Sequence, residues 1–313
     1  MNSKSILIDT DMGPDDWLSI LYLGMHTNIK IQAVSISGTG ESHGKSGAKN
    51  CKRLLSIIKL DNKIPVAFGL GKPTQGRNHF PWIMRFVMDR LLFLKLPVSK
   101  ARIEPVNSIG LLKHELEASP TKLPILAIGP LTNLALLIEK FPEVKDNIEK
   151  IVIMGGAVEV PGNIKDIRFL SKNKWAEWNL YCDPHAANIV FGSGVPIELV
   201  PLDATNDISV NQNFLDALIG KEEKPASLFA RNVLKRLASR VEKGQYYLWD
   251  VIAAAVLVDR SIAVFEDIAI YVDEHGSSIG STRKDEENGF TLSVCKKVNK
   301  EKFEKMVIDT FST

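Results

Sequence analysis

Closely spaced aspartates are the first residues of this sequence whose types could perform chemistry. Asp9, Asp11, Asp15 and Asp16 all lie in the segment Asp9–Asp16, which also contains Gly13. Carboxylates at this density repel one another, and burying them without a counter-charge is costly. Capping of a helix N-terminus explains Asp15 or Asp16 but leaves Asp9 and Asp11 without a role. A hard divalent cation explains the whole group, because calcium and magnesium both prefer oxygen ligands.

This segment alone does not decide the reaction. Gly13 permits a tight turn that can fold the chain around an ion. Magnesium-dependent phosphatases also place an Asp-x-Asp at the end of a strand, and capping aspartates need no ion. The segment therefore predicts a cation site and leaves its chemistry open.

Further motifs follow at intervals along the chain. They are Gly129-Pro130-Leu131-Thr132-Asn133-Leu134, Met154-Gly155-Gly156, Gly162-Asn163, Glu177-Trp178-Asn179, Asp183-Pro184-His185-Ala186-Ala187 and Trp249-Asp250. Together with the N-terminal aspartates, and in this order, they resemble the inosine-uridine preferring nucleoside hydrolase family. The resemblance extends over residues 6–257.

The resemblance implies an N-ribohydrolase, an enzyme that splits ribonucleosides into ribose and free base. Calcium would be held by Asp11, Asp16, Asp250 and the backbone carbonyl of Ile128, together with the ribose 2′- and 3′-hydroxyls and one water. Calcium can lower the pKa of such a water. Asp11 would then act as the general base that takes its proton. Asp9 would support these ligands from behind.

The resemblance also assigns residues to the ribose. Asp15 and Asn179 would bind its hydroxyls, Asn163 and Glu177 its 5′ side, and Met154 and Trp178 would line its pocket. Acidic groups around the sugar favour the cationic, oxocarbenium-like state of glycoside hydrolysis. Dedicated hydrogen bonds to ribose would reject deoxynucleosides, because the site groups would be left unpaired.

The residues expected near the base depart from the common family pattern. Many relatives carry a histidine before the late aspartate, whereas this chain has Trp249, and Trp82 follows a long loop. This resembles the purine-preferring branch of the family, in which two indoles sandwich the base, and the resemblance implies a preference for purine nucleosides; an aromatic face stabilises a base that gains positive charge. Ordinary core packing is the alternative for each tryptophan. A pyrimidine or broad substrate range, and a non-catalytic calcium- or ribose-binding protein, stay open as alternatives.

Two loops depart from the pattern as well. After the second predicted strand, Glu41 or His43 would contact the base, and each is equally explained as a loop residue in solvent. The loop 161–176 is longer than the motifs on either side of it lead us to expect. Such a loop would reshape the 5′ side of the pocket around Asn163.

The elements that must position these residues follow from alternating apolar runs and helical periodicity. Strands are predicted at 6–8, 31–36, 65–68, 123–128, 151–154 and 197–200, and helices at 17–25, 51–58 and 131–139. Fully apolar strands that alternate with helices predict an α/β fold whose open, mostly parallel sheet is flanked by helices. The resemblance implies a Rossmann-like core. Ligands bind beyond the carboxyl ends of such strands, and the loops 69–81 and 161–175 are long enough to be binding loops.

The C-terminal third is more helical. Helices are predicted at 229–241 and 250–257, and β segments at 268–272 and 290–294, with the polar segment 281–289 as a hairpin connection. We find no linker and no internal repeat. The sequence therefore predicts a single domain over 1–313.

Composition limits the partners. The 313 residues include 39 basic and 37 acidic side chains, a net charge of +2. This balance gives no electrostatic reason to expect nucleic acid or an anionic membrane as partner. Cys51, Cys182 and Cys295 form no paired motif, which favours a reducing, cytoplasmic compartment. No apolar run reaches the roughly 18 residues of a membrane span. The resemblance implies a homodimer or homotetramer.

Overall fold

The strands of the described residues form one mixed sheet. The computed structural model describes residues 3–166, 172–218, 224–238 and 246–312. The strands are β1 (Lys4–Thr10), β2 (Ile29–Ile36), β3 (Val66–Phe68), β4 (Leu123–Ile128), β5 (Ile148–Met154), β6 (Ile197–Val200), β7 (Ala263–Val272), β8 (Thr282–Lys284) and β9 (Phe290–Val298). Their order across the sheet is β3-β2-β1-β4-β5-β6-β9-β7-β8.

The sheet is parallel from β3 to β9 and antiparallel only where β7 pairs with β8 and β9. Its register aligns the carboxyl ends of the central strands, because Thr10 lies opposite both Ile36 and Ile128. Residues that follow β1, β2 and β4 therefore meet at one edge. The predicted α/β fold with an open, mostly parallel sheet is confirmed.

Helices pack on both faces of this sheet. They are α1 (Pro14–Met25), α2 (Gly44–Ile57), α3 (Trp82–Met88), α4 (Ser108–Ala118), α5 (Thr132–Lys140), α6 (Trp178–Cys182), α7 (Pro184–Phe191), α8 (Leu202–Thr205), α9 (Gln212–Leu218), α10 (Pro225–Arg236), α11 (Trp249–Val258) and α12 (Lys300–Ser312). Successive strand residues point to opposite faces. Ile6 and Ile8 accordingly join one apolar cluster with α1, α2 and α11, whereas Leu7 joins a second cluster with α4, α5 and α7.

Several boundaries differ from those predicted. The segment 281–289 is not only a connection, because Thr282–Lys284 forms β8 and pairs with the end of β7. The helix predicted at 229–241 is α10, which begins at Pro225 and ends at Arg236. Residues 239–241 of that prediction, and 167–171 of the long loop 161–176, lie outside the described residues. Among the helices that are described, none has both the length and the apolar character needed to cross a membrane.

Candidate active site

The N-terminal aspartates occupy the turn between β1 and α1. Met12 adopts a left-handed backbone with φ of 64°, and the indole nitrogen of Trp17 donates to its carbonyl over 2.7 Å. Asp16 caps α1, since its carboxylate accepts the Gly13 amide at 2.9 Å and also the hydroxyl of Thr10. The turn thus presents carboxylates at the carboxyl edge of the central strand.

Three of the carboxylates come within metal-binding distance of one another. One oxygen each of Asp15, Asp16 and Asp250 lies within 4.8 Å of the others. The first turns of α1 and α11 bring them together, and the Asp250 amide donates to Asp15 Oδ2 at 3.3 Å. The family resemblance assigns Asp15 to the ribose and Asp11 to the ion. In the structure Asp15 belongs to this set of three, and Asp11 lines the same cavity beside the set.

Asp11 is held by the loop that follows β2. Its Oδ2 accepts the Glu41 amide at 2.9 Å, and its backbone carbonyl accepts the amide of Ser42 at 3.1 Å and the hydroxyl at 2.8 Å. A Cβ added to Gly40 would stand 1.9 Å from Asp11 Oδ2, so the loop passes directly against the carboxylate. The orientation of Asp11 is therefore fixed by the Glu41 amide and by the amide and hydroxyl of Ser42.

Burial and mutual repulsion dominate the electrostatics of this cluster. Burial raises the pKa of Asp11 to about 7 and that of Asp15 to about 6. Burial, followed by repulsion from neighbouring aspartates, also raises the pKa of Asp16 and of Asp250 well above the usual range. Buried carboxylates that repel one another are stabilised by a hard divalent cation, whose preferred ligands are oxygens. The donor set therefore fits a metal, and this buried cluster can hold one.

A cavity opens directly on the cluster. Its walls carry six acidic side chains (Asp11, Asp15, Asp16, Glu41, Glu177 and Asp250), two amides (Asn163 and Asn179) and six apolar or aromatic residues (Phe80, Met84, Ile128, Met154, Trp178 and Trp249). They come from the carboxyl ends of β4 and β5, from the segments that follow β1, β2, β3 and β5, and from the first turns of α1, α3, α6 and α11.

The amide side of the cavity is ordered by Glu177. Its carboxylate caps α6 by accepting the amides of Asn179 at 2.9 Å and Leu180 at 3.2 Å, and it also accepts the Gly156 amide at 2.9 Å. Burial raises the pKa of Glu177. Asn179 donates from its side chain to the Met154 carbonyl at 3.1 Å, which leaves its amide oxygen available to a ligand.

Aromatic rings form the remaining walls. The Phe80 and Trp178 ring centroids are 4.2 Å apart with an interplanar angle of 34°. Asn163 accepts the Trp178 amide at 3.1 Å. Trp249 donates from its indole nitrogen to Asn206 Oδ1 at 2.9 Å and packs against Tyr247, with 5.4 Å between the ring centroids.

Two residues that the sequence placed near the base do not line the cavity. Trp82 is 73% exposed on α3. His43 is exposed and pairs with Asp89, with 2.7 Å between His43 Nδ1 and Asp89 Oδ2. Phe80 and Met84 line the cavity instead, and the sequence reasoning missed both. Phe80 is the one aromatic residue of the loop 69–81, and that was the signal available.

Asp9 lies behind the cluster. It is fully buried and accepts hydrogen bonds from Ser35 and, at 2.8 Å, from Asn133 Nδ2. Burial raises the pKa of Asp9 to about 7. Asn133 begins α5 with Thr132, so the Gly129–Leu134 motif connects β4 to the back of the aspartate turn.

Comparison with known proteins gives a family and a fold. The family model for the inosine-uridine preferring nucleoside hydrolase matches residues 6–305. The probable uridine nucleosidase 1 of Oryza sativa subsp. japonica is 30% identical over 296 residues, which cover 91% of this chain and 86% of that protein.

Two solved structures superpose over nearly the whole chain. A plant nucleoside hydrolase, the PpNRh1 enzyme, matches with a TM-score of 0.88 and 24% identity, and the match covers 99% of each chain. A purine-preferring ribonucleoside hydrolase from Gardnerella vaginalis matches with a TM-score of 0.82 and 25% identity, covering 99% of this chain and 98% of the other.

Proposed function

The chain belongs to the inosine-uridine preferring nucleoside hydrolase family and is therefore an N-glycosidase of nucleosides, and from that premise we propose that it hydrolyses ribonucleosides with calcium as its metal. The observation that carries this proposal is the convergence on one cavity of the buried aspartates and the amide-bearing wall. The aspartates supply the oxygen ligands that calcium prefers. The amide-bearing wall supplies hydrogen-bonding groups for a sugar.

Asp11, Asp16, Asp250 and the carbonyl of Ile128 are the proposed ligands, with Asp15 close enough to join them. When bound, calcium would supply Lewis-acid chemistry, orienting the ribose hydroxyls and lowering the pKa of a water.

Asp11 is the proposed general base. Its Oδ2 is fixed by the Glu41 amide, and its other oxygen is not engaged by that contact. Burial raises the pKa of Asp11 to about 7, and a base is most effective when its pKa lies near the working pH.

The proposed sugar contacts come from Asp15 and from the amide-bearing wall. Asp15 and Asn179 bind the ribose hydroxyls, and Asn163 and Glu177 bind its 5′ side, with Met154 and Trp178 as the apolar floor. Glu177 and Asn163 also accept backbone amides of α6, which fixes their side chains at this wall. The acidic walls favour the cationic sugar of the transition state.

We propose uridine as the preferred substrate. The rice relative, aligned over most of both chains, is a probable uridine nucleosidase. This supports the pyrimidine alternative better than the purine preference predicted from sequence. Purine nucleosides remain the second candidate because Trp249 and Trp178 both line the cavity, and the Gardnerella vaginalis enzyme is purine-preferring.

A reducing-sugar assay tests the proposal with inosine, guanosine, adenosine, uridine and cytidine, each with and without a calcium chelator. We expect ribose release that the chelator abolishes, with the highest kcat/KM for uridine. A higher value for a purine nucleoside would select the second candidate. Absence of ribose release from every nucleoside would refute the proposal.

The remaining expectations concern the whole protein. A homodimer or homotetramer is proposed from the family, and light scattering coupled to size exclusion tests it. A cytoplasmic location is proposed from the three buried, unpaired cysteines Cys51, Cys182 and Cys295.

A further inference from the structure

Arg85 is a buried cation next to the candidate site. It lies on α3, directly after the cavity residue Met84, and is 7% exposed. Burying a guanidinium is costly where its donors are unbonded, and the Nε of Arg85 is buried without a hydrogen-bond partner among the described residues. One of its terminal nitrogens donates to the carbonyls of Gly38 at 2.5 Å and Ser42 at 3.0 Å. Arg85 therefore joins two points of the loop that follows β2.

The two carbonyls bracket the residues that hold Asp11. Between them, Glu41 donates its amide to Asp11 Oδ2 at 2.9 Å. Ser42, whose carbonyl Arg85 binds, donates its own amide and hydroxyl to the Asp11 carbonyl. A guanidinium that fixes both ends of this short loop also fixes the donor of the Asp11 carboxylate.

A second set of contacts joins α3 to the residues that follow this loop. Asp89, at the C-terminal end of α3, accepts the His43 amide at 2.9 Å, and its own carbonyl accepts from Asn50 at 2.9 Å. The helix is thus fixed to α2 at one end, and its buried arginine reaches inward from there. The loop 38–42 is therefore bonded to a helix whose own position is fixed.

We propose that Arg85 is a positioning residue, which acts through the loop 38–42 to hold the Asp11 carboxylate in the orientation needed for calcium and for proton transfer. This inference rests on the proposed function. Arg85 does not line the cavity, and among the described residues it forms no hydrogen bond with the aspartates. Substitution of a residue that orients a metal ligand typically lowers metal affinity or activity by about 10- to 100-fold.

The test compares Arg85→Met with Lys52→Met. Lys52 is a matched control, because it is a cation that is only 5% exposed and its ammonium group also bonds two backbone carbonyls, those of Asp61 at 2.8 Å and Ile64 at 2.7 Å, neither of which belongs to the loop 38–42. The quantities measured are kcat and KM at saturating calcium, the calcium Kd by titration calorimetry, and Tm.

For Arg85→Met we expect a loss of about 10- to 100-fold in kcat and a calcium Kd raised about tenfold. KM should stay within about threefold, because none of the proposed sugar contacts belongs to the loop 38–42. Lys52→Met should lower Tm while leaving kcat and calcium affinity within about twofold.

A purely structural role for Arg85 predicts that both variants lose Tm and neither loses kcat or calcium affinity, and that result would overturn the inference. If Arg85→Met does not fold, Arg85→Lys decides, because a lysine keeps the charge but not the planar fork. Wild-type kcat and calcium affinity in Arg85→Lys would also overturn the inference. If the wild-type protein releases no ribose, the proposed function fails, and the calcium affinities still decide the role of Arg85.

Discussion

At the scale of single residues, the prediction with the largest expected loss of turnover concerns Asp11. Asp11→Asn keeps the size of the side chain but removes the basic oxygen, so we expect kcat to fall by about 100- to 10,000-fold. The fold should persist, because the substitution also removes one repelling charge from the buried cluster. Steady-state kinetics and circular dichroism measure both effects.

Asp267→Asn on the exposed face of β7 is the control for this substitution, and we expect it to leave kcat unchanged. Wild-type turnover in Asp11→Asn would remove Asp11 from the role of general base and would leave Asp15 as the next carboxylate to consider.

A single methyl group added at Gly40 should displace the Asp11 carboxylate while leaving the carboxylate itself in place as a base. The Cβ of Gly40→Ala would lie 1.9 Å from Asp11 Oδ2. The carboxylate or the loop must move, and a displacement of about 1 Å in such a site can cost about 100-fold in rate. Gly71→Ala, whose added Cβ would lie 3.8 Å from the Gly38 carbonyl, is the matched control. Equal kcat values for the two variants would contradict this prediction.

At the scale of elements, Asp183 links three segments around the site. The carboxylate caps α7 by accepting the Ala186 amide at 3.2 Å, and it accepts the Thr132 hydroxyl at 2.7 Å. It also accepts both the amide of Thr74 at 2.8 Å and its hydroxyl at 2.7 Å. The long loop 69–81, α5 and α7 therefore share one buried acceptor.

Replacing this acceptor should cost stability. Asp183→Asn places an amide NH₂ against donors, so we expect a loss of about 2–3 kcal/mol in the free energy of unfolding. Chemical denaturation measures it. Asp309→Asn, at an exposed ion pair with Lys305, should change the same quantity by less than about 1 kcal/mol. A similarly small change for Asp183→Asn would mean that the network adds little to stability.

The elements also show where sequence reasoning succeeds and where it stops. The apolar runs 123–128 and 151–154 lie fully buried in the central strands β4 and β5, and a short apolar run without alternation is typical of such strands. β8 was missed because Thr282–Lys284 is short and polar and becomes a strand only by pairing with β7. Its pairing is set by tertiary contact, which local pattern does not contain.

The same distinction applies to the site. Asp11 and Asp16 drew a prediction because closely spaced acidic residues between a strand and a helix carry a chemical signal of their own, whereas only the family resemblance pointed to Asp250. Phe80 and Met84 were missed because an apolar residue has no chemical signature until the fold turns it toward a cavity. Trp82 attracted the prediction, but its position on α3 points it into solvent at 73% exposure.

At the scale of the whole molecule, metal and protons compete for the same carboxylates. The pKa of Asp11 is raised to about 7 and that of Asp15 to about 6 from the ordinary 3.8. The metal-free native state therefore binds more protons than the unfolded chain, and its stability should fall as pH rises between about 4 and 7. Calcium at 100 times its Kd adds about 2.7 kcal/mol.

Thermal melts across this pH range test the competition. At pH 7.5, we expect a chelator to lower Tm clearly, whereas at pH 5 its effect should be small because protons already neutralise the cluster. Asp250→Asn should remove most of the calcium-dependent rise in Tm. A metal-free protein whose Tm rises from pH 5 to pH 7 would contradict the sign of this prediction.

The separation of the aspartates along the chain has a consequence for biosynthesis. Asp11, Asp15 and Asp16 leave the ribosome long before Asp250, at the end of a strand that lies in the middle of the finished sheet. Asp250 belongs to a helix that packs on α1 only after the neighbouring strands β4 to β6 have been translated. A nascent chain therefore carries its acidic turn through the synthesis of β2 to β6 without the residue that completes the set of three. The ability to capture an ion appears only after these strands have been made.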